Sequence, residues 1–260
     1  MTLPERIKAE FANIAKPVVA FAALILLWQA AVGPLGIPAY VLPLPFDIAV
    51  RFWDTFQVQL SNLGFTAAST VIGLALAVAI GVLLALVVIF VDGLRSTVIP
   101  MLAAMNSIPK VAIAPLFIIW FGFGIESKIF LAFLFALFPI FISALTGMGE
   151  IDADILDLSK LAGGSPWKIF IKVRLMNAVP YLVDALKVAF PLALVGAIVG
   201  EFIGGNKGVG YLILSGQGNL DTTLVFSALV SITVFTMAGI GVVIIFERIF
   251  LRWRHSQRKR

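Results

Sequence analysis

From Leu63 to Val91 the chain runs without one charged residue. At about 1.5 Å of rise per residue, a helix of that length more than crosses a hydrocarbon core of ~30 Å. In lipid, each backbone N–H and C=O needs a partner inside its own segment or in a closed barrel. Apolar runs recur at about 17–32, 98–122, 129–146, 180–202 and 222–246, and their length favours helices over barrel strands. Composition agrees. Of 260 residues 61% are hydrophobic and 13% charged, against roughly 45–50% and 25% in soluble domains. The fold class expected is an all-α membrane protein of six transmembrane helices. It forms one membrane domain, 17–260, behind a polar tail at 1–16.

The first apolar run follows a basic start, as in a secretory leader. It is read as a retained first span, because the later runs need a partner to make an even number. Gly33 to Asn62 carries Pro34, Pro38, Pro43 and Pro45, which favour extended chain, with a short helix expected at 51–59. Gly64, Gly73, Ala77 and Gly81 line the second run, and small residues let helices approach closely in lipid. Pro100, Pro109 and Pro115 predict a broken third span. Glu126-Ser127-Lys128 is read as a turn, and Ile203 to Asp221 as a glycine-rich loop.

The Lys and Arg residues sort by side. Arg6, Lys8, Lys16, Arg95, Lys160, Lys168, Lys172, Arg174 and the tail cations Arg248, Arg252, Arg254, Arg258, Lys259 and Arg260 fall on one side. Arg51, Lys128 and Lys207 fall on the other. By the positive-inside rule both termini and the 147–179 interval are cytoplasmic. The net charge of +5 is dispersed or terminal, which fits membrane flanks and not a nucleic-acid partner.

Catalytic signatures are missing from the sequence. Without cysteine there is no disulfide, thiolate metal site or thiol nucleophile. The one histidine, His255, lies in the basic tail. Gly204-Gly205-Asn206-Lys207-Gly208 lacks phosphate-loop spacing, and Gly122-Phe123-Gly124 lacks the third glycine of a dinucleotide fingerprint. Four charges stand inside spans, and Lys110, Lys187 and Glu201 among them are candidates for a role. Lys187 can snorkel or pair with Asp184, Glu201 can sit at the interface or at a pathway mouth, and Lys110 follows Pro109 in the broken segment. Each is also a candidate lining residue of a pathway.

The longest polar interval is Gly147 to Pro180. Ile155, Leu158 and Ala162 fall at helical spacing, with Leu161 beside them. Gly163-Gly164 ends that helix. Ser165 as N-cap and Pro166 as first residue start a second, whose apolar face is Trp167, Phe170, Ile171 and Val173. These residues suit an amphipathic loop on the membrane surface as well as a docking site.

The interval resembles the cytoplasmic loop of permease subunits of binding-protein-dependent ATP-binding-cassette importers. Gly163 takes the family glycine and Val173 the later aliphatic, while Asp157-Leu158-Ser159 stands where Glu-Ala-Ala is usual. Ile37 to Pro45, Ile108-Pro109-Lys110 through Gly124, Lys187, Glu201, Gly208-Val209-Gly210-Tyr211 and Arg252-Trp253 are similar to the nitrate/sulfonate/taurine type, which includes carriers of vitamin precursors. The resemblance implies an importer permease in the bacterial inner membrane that is not itself an enzyme. It implies a second permease copy around one pathway, two cytoplasmic ATPase subunits that bind ATP and Mg, an external solute-binding protein and a small solute. No cofactor is expected in this chain. Coupling to the ATPase falls to Asp157, Leu158, Ser159, Leu161, Gly163 and Gly164, on a helix at about 153–162. The alternatives are a secondary transporter driven by an ion gradient and a membrane-embedded scaffold or enzyme subunit. A secondary transporter calls for internal repeats and paired mid-membrane carboxylates.

Overall fold

The computed structural model describes residues 3–91 and 93–251, with side chains from Lys16 onward except Phe250. Asp92 and the tail residues Arg252, Trp253, Arg254, His255, Arg258, Lys259 and Arg260 lie outside the described residues, as do the side chains of Arg6 and Lys8. The described chain is all-α with no strand. In order the helices are α1 (Leu3–Val32), α2 (Pro45–Asp54), α3 (Phe56–Phe90), α4 (Leu94–Ser107), α5 (Lys110–Phe121) and α6 (Ile125–Gly149). Then come α7 (Ala153–Leu161), α8 (Pro166–Ile169), α9 (Met176–Gly204), α10 (Val209–Gly218) and α11 (Thr222–Phe250), with a π-helical turn at Phe170–Leu175 joining α8 to α9.

Among the described residues four helical stretches are long and apolar enough to cross a membrane: Phe56–Phe90, Ile125–Gly149, Pro166–Gly204 and Thr222–Ile249. A fifth arises if α4 and α5, bent by 91° to each other, count as one broken span. The apolar part of α1, Lys16–Val32, is shorter.

Two compact units divide the chain. The first comprises 1–59 and 212–230, the second 60–211 and 231–260. In the first, Pro45 opens α2 as its first helical residue behind an extended Leu44. The extended interval therefore ends sooner than its prolines suggest, because a proline at that position gives up an N–H that has no helical partner anyway. Phe46 N donates to Gln29 Oε1 at 3.0 Å, tying α2 to α1. Arg51 pairs with Asp221 at 2.5 Å, and Thr222 Oγ1 donates to Tyr40 O at 2.6 Å.

The core of the second unit is built on close approach. Ala77, Ala132, Ala136, Ile140, Ala185, Ala189, Ala193 and Ala197 form one buried cluster where α3, α6 and α9 meet. A methyl group at Gly196 would stand 2.6 Å from the Leu131 carbonyl oxygen, and one at Gly147 would stand 2.7 Å from Ala178 Cα. On the other flank of α6, a methyl at Gly73 would meet Ile129 O at 2.7 Å. Backbones this near leave no room for a side chain, and dispersion between them replaces the hydrophobic drive that lipid cannot supply.

Three expectations need correction here. Glu126-Ser127-Lys128 is the first turn of α6, and the bend lies one step earlier, at Gly122-Phe123-Gly124, with Gly122 at φ +79°. Ile203–Asp221 is not all loop, because α10 forms inside it. Burial of Val209 and Leu212 outweighs the poor helix propensity of Gly210 and Gly216. Pro180 does not open a separate fifth span but lies inside a helix continuous from Pro166. Membrane helices absorb a proline through neighbours and local π adjustments, and the π turn sits just upstream.

Candidate functional site

The 147–179 interval folds as an elbow. Asp152 caps α7, its side chain accepting from Asp154 N at 3.0 Å. At the other end Gly163 N donates to Lys160 O at 2.9 Å and Gly164 N to Ser159 O at 3.0 Å, with Gly163 at φ +76°. This is a Schellman close, which needs a left-handed residue at the Gly163 position. Gly164 has a second constraint, since a Cβ there would stand 2.6 Å from Ser159 O. Ser165 Oγ then accepts from Lys168 N at 3.4 Å, and Pro166 starts the next helix.

None of the α7 residues is buried. Leu158 is 66% exposed and Leu161 85%, and Ile155 lies on the same face. Asp157 and Lys160 pair at 2.9 Å on the surface. The short helix thus presents three aliphatic side chains outward and is capped at both ends. The helix after it differs from expectation. Only Phe170 turns fully inward, with ring centroids 5.3 Å from Phe90 and 5.5 Å from Trp167, while Trp167 and Ile171 stay exposed.

Two polar side chains anchor the elbow to α6. Arg174 Nη1 donates to Met148 O at 2.8 Å. Asn177 Nδ2 donates to Gly147 O at 2.8 Å and to Glu150 O at 3.0 Å. They satisfy carbonyls at the C-terminal end of α6, where a helix leaves acceptors without partners and favours a cation. Arg174 therefore faces the neighbouring helix end and not the membrane surface.

The candidate pathway residues fall in three places. Lys110 opens α5 at the break, where its ammonium donates to Asn106 Oδ1 at 2.7 Å and lies 5.3 Å from the centre of the Phe135 ring. It lines two adjoining cavities, of about 230 Å³ and about 360 Å³. Lys187 is held by Asp184 at 2.9 Å and by Glu247 of α11 at 2.6 Å. Glu201 is fully buried. It accepts from Thr66 Oγ1 at 2.7 Å and from Gly210 N at 2.8 Å, while Thr66 Oγ1 accepts from Val209 N at 2.9 Å. It thereby caps the N-terminus of α10 and is not at an interface. Lys110, Lys187 and Glu201 do not form one cluster by any of these bonds.

Lys128, which the sequence places in a turn, is 1% exposed. Its ammonium donates to Phe123 O at 2.8 Å and to Gly204 O at 2.9 Å, the latter at the C-terminal end of α9. Asn62 Oδ1 completes the cluster by accepting from Gly208 N at 2.8 Å. Lys128, Thr66, Arg174 and Asn177 are the residues that reasoning from spacing missed.

Residues 77–255 match the family model described as the binding-protein-dependent transport system inner membrane component. The chain belongs to that family. The permease is thus a multi-pass inner-membrane component of an ATP-binding-cassette importer. It is 31% identical over 243 residues to the formylaminopyrimidine transport permease protein ThiX of Halalkalibacterium halodurans, covering 93% of this chain and 97% of that one. It is 33% identical over 235 residues to the riboflavin transport system permease protein RibX of Chloroflexus aurantiacus, covering 90% and 88%. With the putative aliphatic sulfonates transport permease protein SsuC of Bacillus subtilis it shares 29% over 238 residues, covering 90% and 86%. Its fold is similar to a chain of the MetNI methionine ABC transporter at TM-score 0.56 and 21% identity, covering 74% and 95%.

Proposed function

We infer that this permease forms half of a translocation pathway for a small solute and takes its driving motion from separate ATPase subunits through α7. The observation that carries this is the elbow itself. It is a capped helix with no buried residue and an outward aliphatic face, set in the chain between α6 and α9, whose adjoining ends Arg174 and Asn177 bond together. A helix so built moves with what grips it and passes that motion to the spans as a rigid body.

In this reading α1, α3, the α4–α5 pair, α6, the Pro166–Gly204 helix and α11 are six spans of a single membrane domain, with both termini and α7 cytoplasmic. Asp157, Leu158, Ser159 and Leu161 meet the ATPase, and Gly163 and Gly164 fix the angle of the elbow. ATP and Mg belong to the ATPase pair, a second copy of the permease completes the pathway, and an external binding protein delivers solute. The relatives named for formylaminopyrimidine, riboflavin and aliphatic sulfonates favour a small organic anion or a vitamin precursor.

The pathway runs along the break between α4 and α5. Asn106, Ser107, Ile108 and Pro109 are exposed there. Irregular backbone and polar side chains at membrane depth are tolerated where they line water or are buried by protein. The test is co-purification and reconstitution. The ATPase subunits are expected to copurify with the permease through α7, and uptake into liposomes to require them and ATP. Solute movement by the purified permease alone, without nucleotide, would refute the assignment.

A further inference from the structure

We propose that Lys110 and Asn106 form a recognition point for a small anionic group, a carboxylate or sulfonate, carried on an apolar body. This deepens the pathway reading above and rests on it.

Lys110 Nζ gives one of its three hydrogens to Asn106 Oδ1 at 2.7 Å. The remaining ammonium hydrogens and the Asn106 amide N–H groups are all donors, so the pair presents donors and positive charge outward. The start of α5 adds backbone N–H groups of the same sign. Among the described residues no carboxylate pairs with Lys110, in contrast to Lys187, which two carboxylates hold. A cation in a low-dielectric wall with only a neutral partner has unspent attraction for an anion.

The walls set the rest of the ligand. The cavity of about 360 Å³ is lined by Val111, Phe135, Phe138, Pro139 and Leu192 around Lys110 and Asn106. The neighbouring cavity, about 230 Å³, continues the apolar lining with Leu102, Phe117 and Phe130. Few polar groups converge there besides the Lys110–Asn106 pair. An anion with a compact aliphatic or aromatic body fits this chemistry, and a polyhydroxylated or cationic solute does not.

The absence of cysteine gives a clean background for the test. Val111 is 56% exposed and lines the larger cavity beside Lys110. Val111→Cys is introduced into the assembled transporter in native membranes. It is treated with an anionic sulfonatoethyl methanethiosulfonate or a cationic trimethylammonioethyl one, and modification is followed by the mass of this chain. The ratio of the two rates cancels any effect of Lys110 on the thiol itself. The anionic reagent is expected to react faster, and Lys110→Gln to lower the ratio by about ten-fold, as removal of a nearby unit charge requires at an intermediate dielectric. Lys110→Arg, which keeps the charge, should preserve the ratio and controls for disturbed folding. A ratio unchanged by Lys110→Gln overturns the proposal and leaves the pathway standing. Failure of both reagents to reach the thiol overturns the location of the pathway and the proposal with it.

Discussion

Leu158 and Leu161 of α7 allow docking to be separated from stability. Burying a leucine is worth about 1.5–3 kcal/mol relative to full exposure. Leu161 has 85% of its surface still free and Leu158 66%, so most of that gain has not been used by the fold. Replacing both by alanine should therefore leave the permease close to its original stability, within about 0.5 kcal/mol. If a partner covers them, the pair of substitutions should weaken docking by about 3 kcal/mol, on the order of 100-fold in affinity. The assay has two arms. Thermal unfolding of the purified permease measures the first quantity, and titration of the ATPase subunit against permease in nanodiscs measures the second. Unchanged melting with docking lost supports the elbow as the point of engagement. Unchanged docking with both leucines gone would refute it, and a large drop in melting would show that α7 packs against its own chain.

Further substitutions probe the same framework. Gly163→Pro removes the N–H that bonds Lys160 O and forbids φ +76°, so it should leave insertion intact while ATP hydrolysis proceeds without uptake. Normal uptake by that variant counts against the assignment. Gly196→Ala drives a methyl to 2.6 Å from Leu131 O and should cost about 2 kcal/mol. Gly241→Ala, with nothing within 4 Å, should gain up to about 1 kcal/mol, and equal melting temperatures for the two would show that the helices part easily. Thr66→Val leaves a buried Glu201 oxygen and the Val209 N–H without their hydroxyl. It should cost about 2–4 kcal/mol, with Thr66→Ser restoring most of the loss in the same thermal assay.

The helical class was legible because a long uncharged run in lipid has few ways to satisfy its backbone. The elbow was legible for a related reason: Gly163-Gly164-Ser165-Pro166 is a stop followed by a start, and each residue there acts through its own backbone. A break was expected from Pro100, Pro109 and Pro115 together, and of the three only Pro109 falls between α4 and α5, the other two lying inside those helices. What the sequence hid are pairings between distant residues. Lys128 reaches a carbonyl 76 positions away, and Asn177 one 30 positions away. A charge that looks like a loop residue becomes a buried cap when two helix ends converge on it, and no local pattern announces that. Likewise Gly208-Val209-Gly210 reads as a turn until Glu201 and Thr66 supply the acceptors that let α10 begin.

These hidden caps bear on how an applied force would travel. The glycine and alanine contacts of Gly147, Ala132, Ala193 and Gly196 hold α6 and α9 at backbone distance, and packed backbones slide poorly because every small residue is matched to its neighbour. Arg174 and Asn177 lock the elbow end of the pair, and Lys128, bonding Phe123 O and Gly204 O, locks the opposite end. A hairpin fastened at both ends and along its length behaves as a lever, so rotation imposed at α7 should arrive at the Lys128 end with little loss. Slack, if the molecule has any, is better sought at the α4–α5 break, where a 91° bend and exposed residues replace that close packing.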